Sequence, residues 1–310
     1  MKDRLTVPID VLVIIHEQLQ RVHRTYVRKV GGERLLTGEP VVNIETFAAT
    51  FLRNGQRLIL DSINVFSEQY FLCFGGREGS GMGSVLEALY LFNANAYLLI
   101  DNAPMQLALV WNSDHQYNDY VCVDRNEEWN PELRNGELFG IEVKAMISAA
   151  DEAKAHFDVL EREIGLHDQL LVLAWSWQST ERGDRWVYPR VNDAFLGNAR
   201  EIARYRDALH VIRGGSFVTL ADCPDDCAVP NCTHVGEPLN ANGKRERRSG
   251  PDATRVSQNT SHAQNFGGLK RMLAARNQHA RIQREQALIG NNTATEFVDF
   301  VDRNFRDLIA

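Results

Sequence analysis

Asp119, Glu142, Lys144 and Glu87 are the side chains whose types and spacing could do chemistry. Glu142 and Lys144 lie two apart in Leu138-Phe-Gly-Ile-Glu-Val-Lys-Ala-Met146. This run reads as a short strand, with Phe139, Ile141 and Val143 on one face and Glu142 and Lys144 on the other. A carboxylate beside an ammonium in an otherwise apolar strand is costly unless something compensates it. A divalent cation is one compensation, and a plain surface ion pair is the other. Asp119 stands immediately before the apolar run Tyr120-Val-Cys-Val123, far enough ahead of Glu142 for a loop and a return to a neighbouring strand. Glu87, on the preceding helix, could reach the same end of the sheet.

Such a set suits the hydrolysis of a phosphodiester. The reaction needs a nucleophilic water, an in-line approach past negative oxygens and stabilisation of the leaving oxygen, and one or two Mg²⁺ ions can supply all three. Mg²⁺ takes oxygen ligands in octahedral geometry and keeps several waters, so two or three convergent carboxylates suffice. Without metal they would repel one another, and at least one would have a raised pKa. A nearby lysine can orient the attacking water and favour its deprotonated form.

The elements that must position these residues are read from periodicity. Residues 9–27 form an amphipathic helical pattern (Val11, Ile15, Leu19, Val22) ended by Gly31-Gly32. A second helix begins near Asn43 with Ile44, Phe47, Phe51 and Leu52 as its buried stripe, while residues 58–66 fit helix and strand alike. The glycine-dense stretch 75–83 matches neither the P-loop nor the dinucleotide fingerprint. It reads as a loop into a helix N-capped by Ser84, with Glu87 closing a capping box, which is the structural alternative for Glu87. Residues 96–100, 107–111 and 120–123 are strand-like, with a turn over 112–118 and a polar loop over 125–136. Residues 151–164 predict a helix: Ala153, Phe157, Leu160 and Ile164 give the stripe, Lys154/Asp158 and Asp158/Arg162 pair at i,i+4, and Gly165 ends it. Asp168 then leads into an apolar run over 169–177 suited to a buried strand. The order fits an α/β fold with a mixed sheet.

Helix glutamate, strand-initial aspartate, Glu-x-Lys on the next strand, then a helix and a buried strand: this order resembles the PD-(D/E)xK nuclease superfamily. The local match is Ser113-Asp-His-Gln-Tyr-Asn-Asp-Tyr-Val-Cys-Val-Asp124 followed by Phe139-Gly-Ile-Glu-Val-Lys144. It is similar in kind to the NucC-type effector nucleases of bacterial anti-phage systems and to type II restriction endonucleases. The resemblance covers residues 75–177. It implies a restriction-endonuclease-like mixed sheet flanked by helices and a Mg²⁺-dependent endonuclease acting on double-stranded DNA as a homo-oligomer. By position it makes Asp119 and Glu142 the Mg²⁺ ligands, Lys144 the residue that assists the water, and Glu87 an accessory ligand or orienting residue. A NucC-like effector would also need a nucleotide second messenger. Asn118, not proline, precedes Asp119, and this departure leaves Asp124 and Asp114 as competitors for the first carboxylate.

Three of the five cysteines fall in Cys223-Pro-Asp-Asp-Cys227-Ala-Val-Pro-Asn-Cys232-Thr-His234. Three thiols and an imidazole this close suit tetrahedral Zn²⁺ in a closed, structural site; reduced, unligated thiols are the alternative. The sequence after it is polar, and Lys244, Arg245, Arg247 and Arg248 could contact phosphates or simply form a solvated linker. Residues 266–287 read as one basic helix. Residues 293–309 carry Phe297, Val298, Val301, Phe305 and Leu308 at helical spacing, suited to docking.

The 310 residues, 44% apolar and 24% charged, have the composition of a globular protein. The longest apolar runs, such as Leu170-Leu-Val-Leu-Ala-Trp175, are far below membrane-spanning length, and the N-terminus lacks a signal-peptide pattern, so a cytoplasmic protein is expected. Net charge is −7, yet residues 241–285 hold ten Lys/Arg against three Asp/Glu, which leaves −14 for the remainder. An acidic chain with one basic segment is compatible with a nucleic-acid enzyme and with a solvated basic helix. The expected organisation is an N-terminal helical region (1–74), a nuclease-like core (75–220), a zinc loop and basic loop (221–265) and C-terminal helices (266–310). The competing function class is a non-catalytic, zinc-stabilised nucleic-acid-binding or assembly protein.

Overall fold

Five strands carry the two charged residues of the Glu-x-Lys run and everything packed around them. In the computed structural model, which describes residues 44–74, 81–98, 106–112, 117–130, 133–149, 155–181, 183–219, 235–239, 266–273, 275 and 277–305, they are β1 (Leu107–Trp111), β2 (Tyr120–Asp124), β3 (Glu137–Ile147), β4 (Gln169–Thr180) and β5 (Gly183–Asn198). They lie in that order across one sheet. Neighbours run antiparallel except β3 and β4, which are parallel. The sheet is therefore mixed, with its parallel pair innermost. β4 is buried at every position from Gln169 to Trp175, as a strand covered on both faces must be.

Alternation along β3 and β4 divides the core in two. Phe139, Ile141 and Val143 pack with Leu171, Leu173 and Trp175 beneath α1 (Ile44–Phe74) and α2 (Met82–Leu98). Met146 packs with Leu170, Val172 and Ala174 on the opposite face, against α3 (Ala199–Ile212), α4 (Leu269–Leu273) and α6 (Asn292–Asn304). A further helix, α5 (Gln278–Leu288), lies on α3. The result is an α/β fold of three layers. Along α1 the buried positions Ala48, Leu52, Ile59 and Ile63 keep helical spacing, so the stretch over 58–66 that fitted either element is helix. No helix among the described residues is long and apolar enough to cross a membrane.

Four expectations about elements are corrected. Residues 96–98 finish α2; its buried set Leu86, Tyr90, Asn93, Ala94, Tyr97 and Leu98 recurs every three to four residues, a helical period that outweighs a short apolar run. Ser84 is not an N-cap, because α2 already begins at Met82. Residues 155–160 are extended rather than helical, and only a single 3-10 turn forms, at Glu161–Glu163. Here Ala155 and Phe157 are buried two apart, and the backbone bonds go to a distant segment: Phe157 N–H donates to Gly267 O (2.7 Å) and Leu269 N–H to Ala155 O (3.1 Å). Gly267 permits that approach, since a Cβ there would press on Asp158. The basic helix over 266–287 is interrupted before α5, where the Asn277 side chain accepts from Ala280 N–H (2.8 Å) and starts a new helix.

The helix over 9–27, Asp114, the Cys223/Cys227/Cys232/His234 loop and the basic residues Lys244, Arg245, Arg247 and Arg248 lie outside the described residues. What brackets the cysteine loop is a two-stranded ribbon of β6 (Ser216–Phe217) and β7 (Pro238–Leu239). Val218 N–H donates to Glu237 O (2.9 Å) and Gly236 N–H to Val218 O (2.8 Å), so the ends of the loop are held together.

Candidate functional site

The register of β2 on β3 pairs Tyr120 with Ile141. Continued by one residue, it sets Asp119 opposite Glu142, and cross-strand partners share a face of the sheet. Glu142 and Lys144 alternate with Ile141 and Val143, so they face away from the core under α1 and α2. Lys144 Nζ donates to Glu142 Oε1 at 2.5 Å, and Glu142 Oε2 accepts from Asn118 N–H at 3.2 Å. Asp119 Oδ2 accepts from Val143 N–H at 2.7 Å, which ties the carboxylate to the backbone between Glu142 and Lys144. Asp119, Glu142 and Lys144, apart in sequence, are thus brought together.

Glu87 joins them from α2. Its carboxylate accepts from Ala145 N–H of β3 and interacts electrostatically with Asp119, Lys144 and Glu142. The capping role is corrected accordingly: Glu87 reaches across to the sheet instead of back to its own helix end. Burial, and then the Asp119 charge, push the Glu87 carboxyl above its usual range, against the opposing pull of Lys144. Burial likewise raises Glu142, opposed by Lys144 and reinforced by Asp119. For Lys144 burial acts to lower the pKa, but Glu142, Asp119 and Glu87 outweigh it and the ammonium is held above its ordinary value. Three carboxylates thus surround one ammonium in a mostly buried place, leaving surplus negative charge.

Asp124 does not compete for this position. It sits at the other end of β2, about 17 Å along the strand from Asp119 at ~3.3 Å per residue. There its Oδ1 accepts from Asn126 N–H (2.9 Å) and closes a turn.

Three residues to which the sequence assigned no role in the site build its frame. Asn118 has φ +78°, a left-handed conformation that asparagine tolerates and proline cannot adopt. That backbone, with an N–H proline would lack, is what reaches Glu142. Gly140 lies against the Asn118 side chain so closely that a Cβ would overlap it. The buried Asp168 carboxylate accepts from Gly140 N–H (2.8 Å), Gly165 N–H (2.8 Å) and Asn118 Nδ2 (3.3 Å), joining the starts of β2 and β4 to β3. The signals available in the sequence were an asparagine two residues before one strand and an aspartate directly before another; the partners they would find were not visible.

Compared with protein-family models, curated proteins and solved structures, the chain matches no family model and has no significant match among the other two.

As placed, no group of three His, Cys, Asp or Glu side chains among the described residues forms a ready ligand set for a metal ion. Mg²⁺ asks for less, since one or two carboxylates with waters complete its octahedron. The donors at hand are all carboxylate oxygens, which suits a hard divalent cation, and the surplus charge is what such a cation would neutralise. Asp119 and Glu142, on adjacent strands, are the pair that could hold it.

Proposed function

We propose that the protein is a Mg²⁺-dependent endonuclease that hydrolyses phosphodiester bonds of double-stranded DNA, with a site of the PD-(D/E)xK kind. The observation that supports the reading is the meeting of Asp119, Glu142 and Lys144 across two adjacent strands. Asp119 and Glu142 would hold the ion, which when bound supplies Lewis-acid activation of water and of the phosphoryl oxygens. Lys144, with its pKa held up, keeps its proton at neutral pH. It therefore acts as a hydrogen-bond donor and positive charge, orienting the attacking water or steadying charge on the phosphate, and not as a base. Glu87 orients the group opposite and adds charge for the ion. The basic segment beyond residue 240 supplies phosphate contacts that position a duplex without reading its sequence. Bacterial anti-phage defence is the setting that the resemblance to NucC-type and restriction nucleases suggests.

The test is incubation of supercoiled plasmid with the protein and Mg²⁺, beside Lys144→Ala. Wild type is expected to cut, and the variant to lose about 10²–10³-fold in rate, the usual effect of removing one donor to developing charge. Equal cutting by the two overturns the proposed centre, and a gel shift without cleavage under any divalent metal overturns the nuclease reading and favours the binding-module class. Adding cyclic oligonucleotides and mapping the ends separates a second-messenger-gated effector from a restriction enzyme.

A structural zinc on Cys223, Cys227, Cys232 and His234 is a second proposed site. Its support is the β6–β7 ribbon, which brings the flanks of that loop together and lowers the entropy lost on closing it around an ion. No open ligand position remains for water, so its role would be to hold the adjoining basic loop.

A further inference from the structure

Asp168 lies behind the Asp119 and Glu142 carboxylates and is joined to them through Asn118 and the β3 backbone. The residue is 7% exposed, and an acid so buried ordinarily pairs with a cation in proteins. Instead its oxygens take three donors: the backbone N–H of Gly140, that of Gly165, and the Asn118 amide. Two of the three lead to the site. Gly140 is two residues before Glu142 on β3, and Asn118 is the residue whose N–H meets Glu142 Oε2 and whose neighbour is Asp119. Because Gly140 has no Cβ, the Asn118 side chain can lie over β3 and reach Asp168.

We propose that Asp168 is the positioning residue of this site: it anchors Asn118 in its left-handed backbone, and through Asn118 it fixes both the Glu142 carboxylate and the start of β2 that carries Asp119. The inference rests on the nuclease reading for its functional meaning, but the positioning can be read without cleavage. A merely structural Asp168 would close the 165–168 turn, where its own N–H donates to Gly165 O (3.3 Å), and would leave Asn118 and Glu142 unaffected.

The experiment uses the full chain and three variants: Asp168→Asn, Asn118→Ala and Asn118→Gly. Folding is checked by thermal unfolding, metal binding by titration with Mn²⁺, and the site's geometry by the amide resonances of Asn118 and Gly140 in metal-free protein. Asp168→Asn is expected to shift the Asn118 backbone amide resonance, a group that donates to Glu142 and not to Asp168, and to weaken Mn²⁺ binding at least tenfold. Asn118→Ala, which resists φ +78° and lacks the amide that Asp168 holds, is expected to do the same; Asn118→Gly, which admits the conformation and keeps the N–H but offers Asp168 nothing to anchor, is expected to bind at least threefold more weakly than wild type and more tightly than the alanine variant. If Asp168→Asn does not fold, Asn118→Gly decides the matter, because it loses the Asp168 contact while its backbone can still adopt φ +78°. A shifted Asn118 amide in a protein that binds no Mn²⁺ upholds the positioning and removes the nuclease reading. An unmoved Asn118 backbone amide with unchanged Mn²⁺ affinity in Asp168→Asn, or wild-type Mn²⁺ affinity in Asn118→Gly, overturns the proposal.

Discussion

Glu87 shows what a single residue can reveal about the site. Its pKa is raised, with burial as the largest cause and Asp119 next, so its ionised form is disfavoured in the folded chain. The unfolded chain loses that proton near 4.5, and the folded chain holds it to a higher pH. Between the two, native protein binds more protons, so this group's contribution to stability declines as pH rises through the window and is gone above it. Glu87→Gln is therefore expected to stabilise the metal-free protein at neutral pH by about 0.5–2 kcal/mol. That gain should shrink toward zero as pH falls through the window to 4.5. Thermal unfolding of both proteins in chelator across that range checks it; a destabilised variant at neutral pH contradicts the account. Glu142, raised mainly by burial, has the same dependence, and metal binding, which needs the charged forms, has the opposite one. At this scale Asp119, Glu142 and Lys144 were legible because their types and strand spacing are local facts. Asn118, Gly140 and Asp168 were not, because an asparagine, a glycine and an aspartate acquire meaning only through partners up to fifty positions away.

Elements were legible where their hydrogen bonds are local or their pattern is dense. The start of α1 and strands β1, β2, β3 and β4 follow from periodicity, whereas residues 58–66 of α1 fitted either element. The stretch over 151–164 misled because Phe157, Leu160 and Ile164 satisfy a helical stripe, whereas the described part of it bonds to residues near 267 and spends its apolar side chains on an extended path. Arg206 of α3 holds that path. Its guanidinium, 1% exposed, donates to Phe157 O and Val159 O, both at 2.8 Å, pairs with Asp207 at 2.7 Å and lies 4.3 Å from the Phe266 ring centre. Burial raises the Asp207 carboxyl while Arg206 lowers it, so loss of the arginine strands both an acid and two carbonyls. Arg206→Ala is expected to lower stability by about 3–5 kcal/mol. Urea unfolding with an unchanged slope measures this, and a change under about 1 kcal/mol contradicts the role. The extended path returns the chain from β3 to the parallel β4 by way of Asp168, so its integrity and that of the site are linked.

For the whole molecule, the α/β class and the mixed sheet were readable from the order of elements, and the structure has both. The pairing of β4 with β5, and the helices α3 to α6 that cover the second face, depend on contacts between distant segments that no local pattern encodes. The charge asymmetry suits a chain whose acidic centre binds a cation while a basic segment approaches a polyanion. If the cysteine loop holds zinc, protein purified without chelator carries about one zinc per chain, and elemental analysis finding none removes that site. The central claim is narrower: one divalent ion shared by Asp119 and Glu142. Crystals grown with Mn²⁺ test it most directly by anomalous scattering. The account predicts a single strong peak between the two carboxylates, lost in Glu142→Gln. Carboxylates still bound to Lys144 and the Val143 N–H, with no peak between them at saturating Mn²⁺, would contradict it.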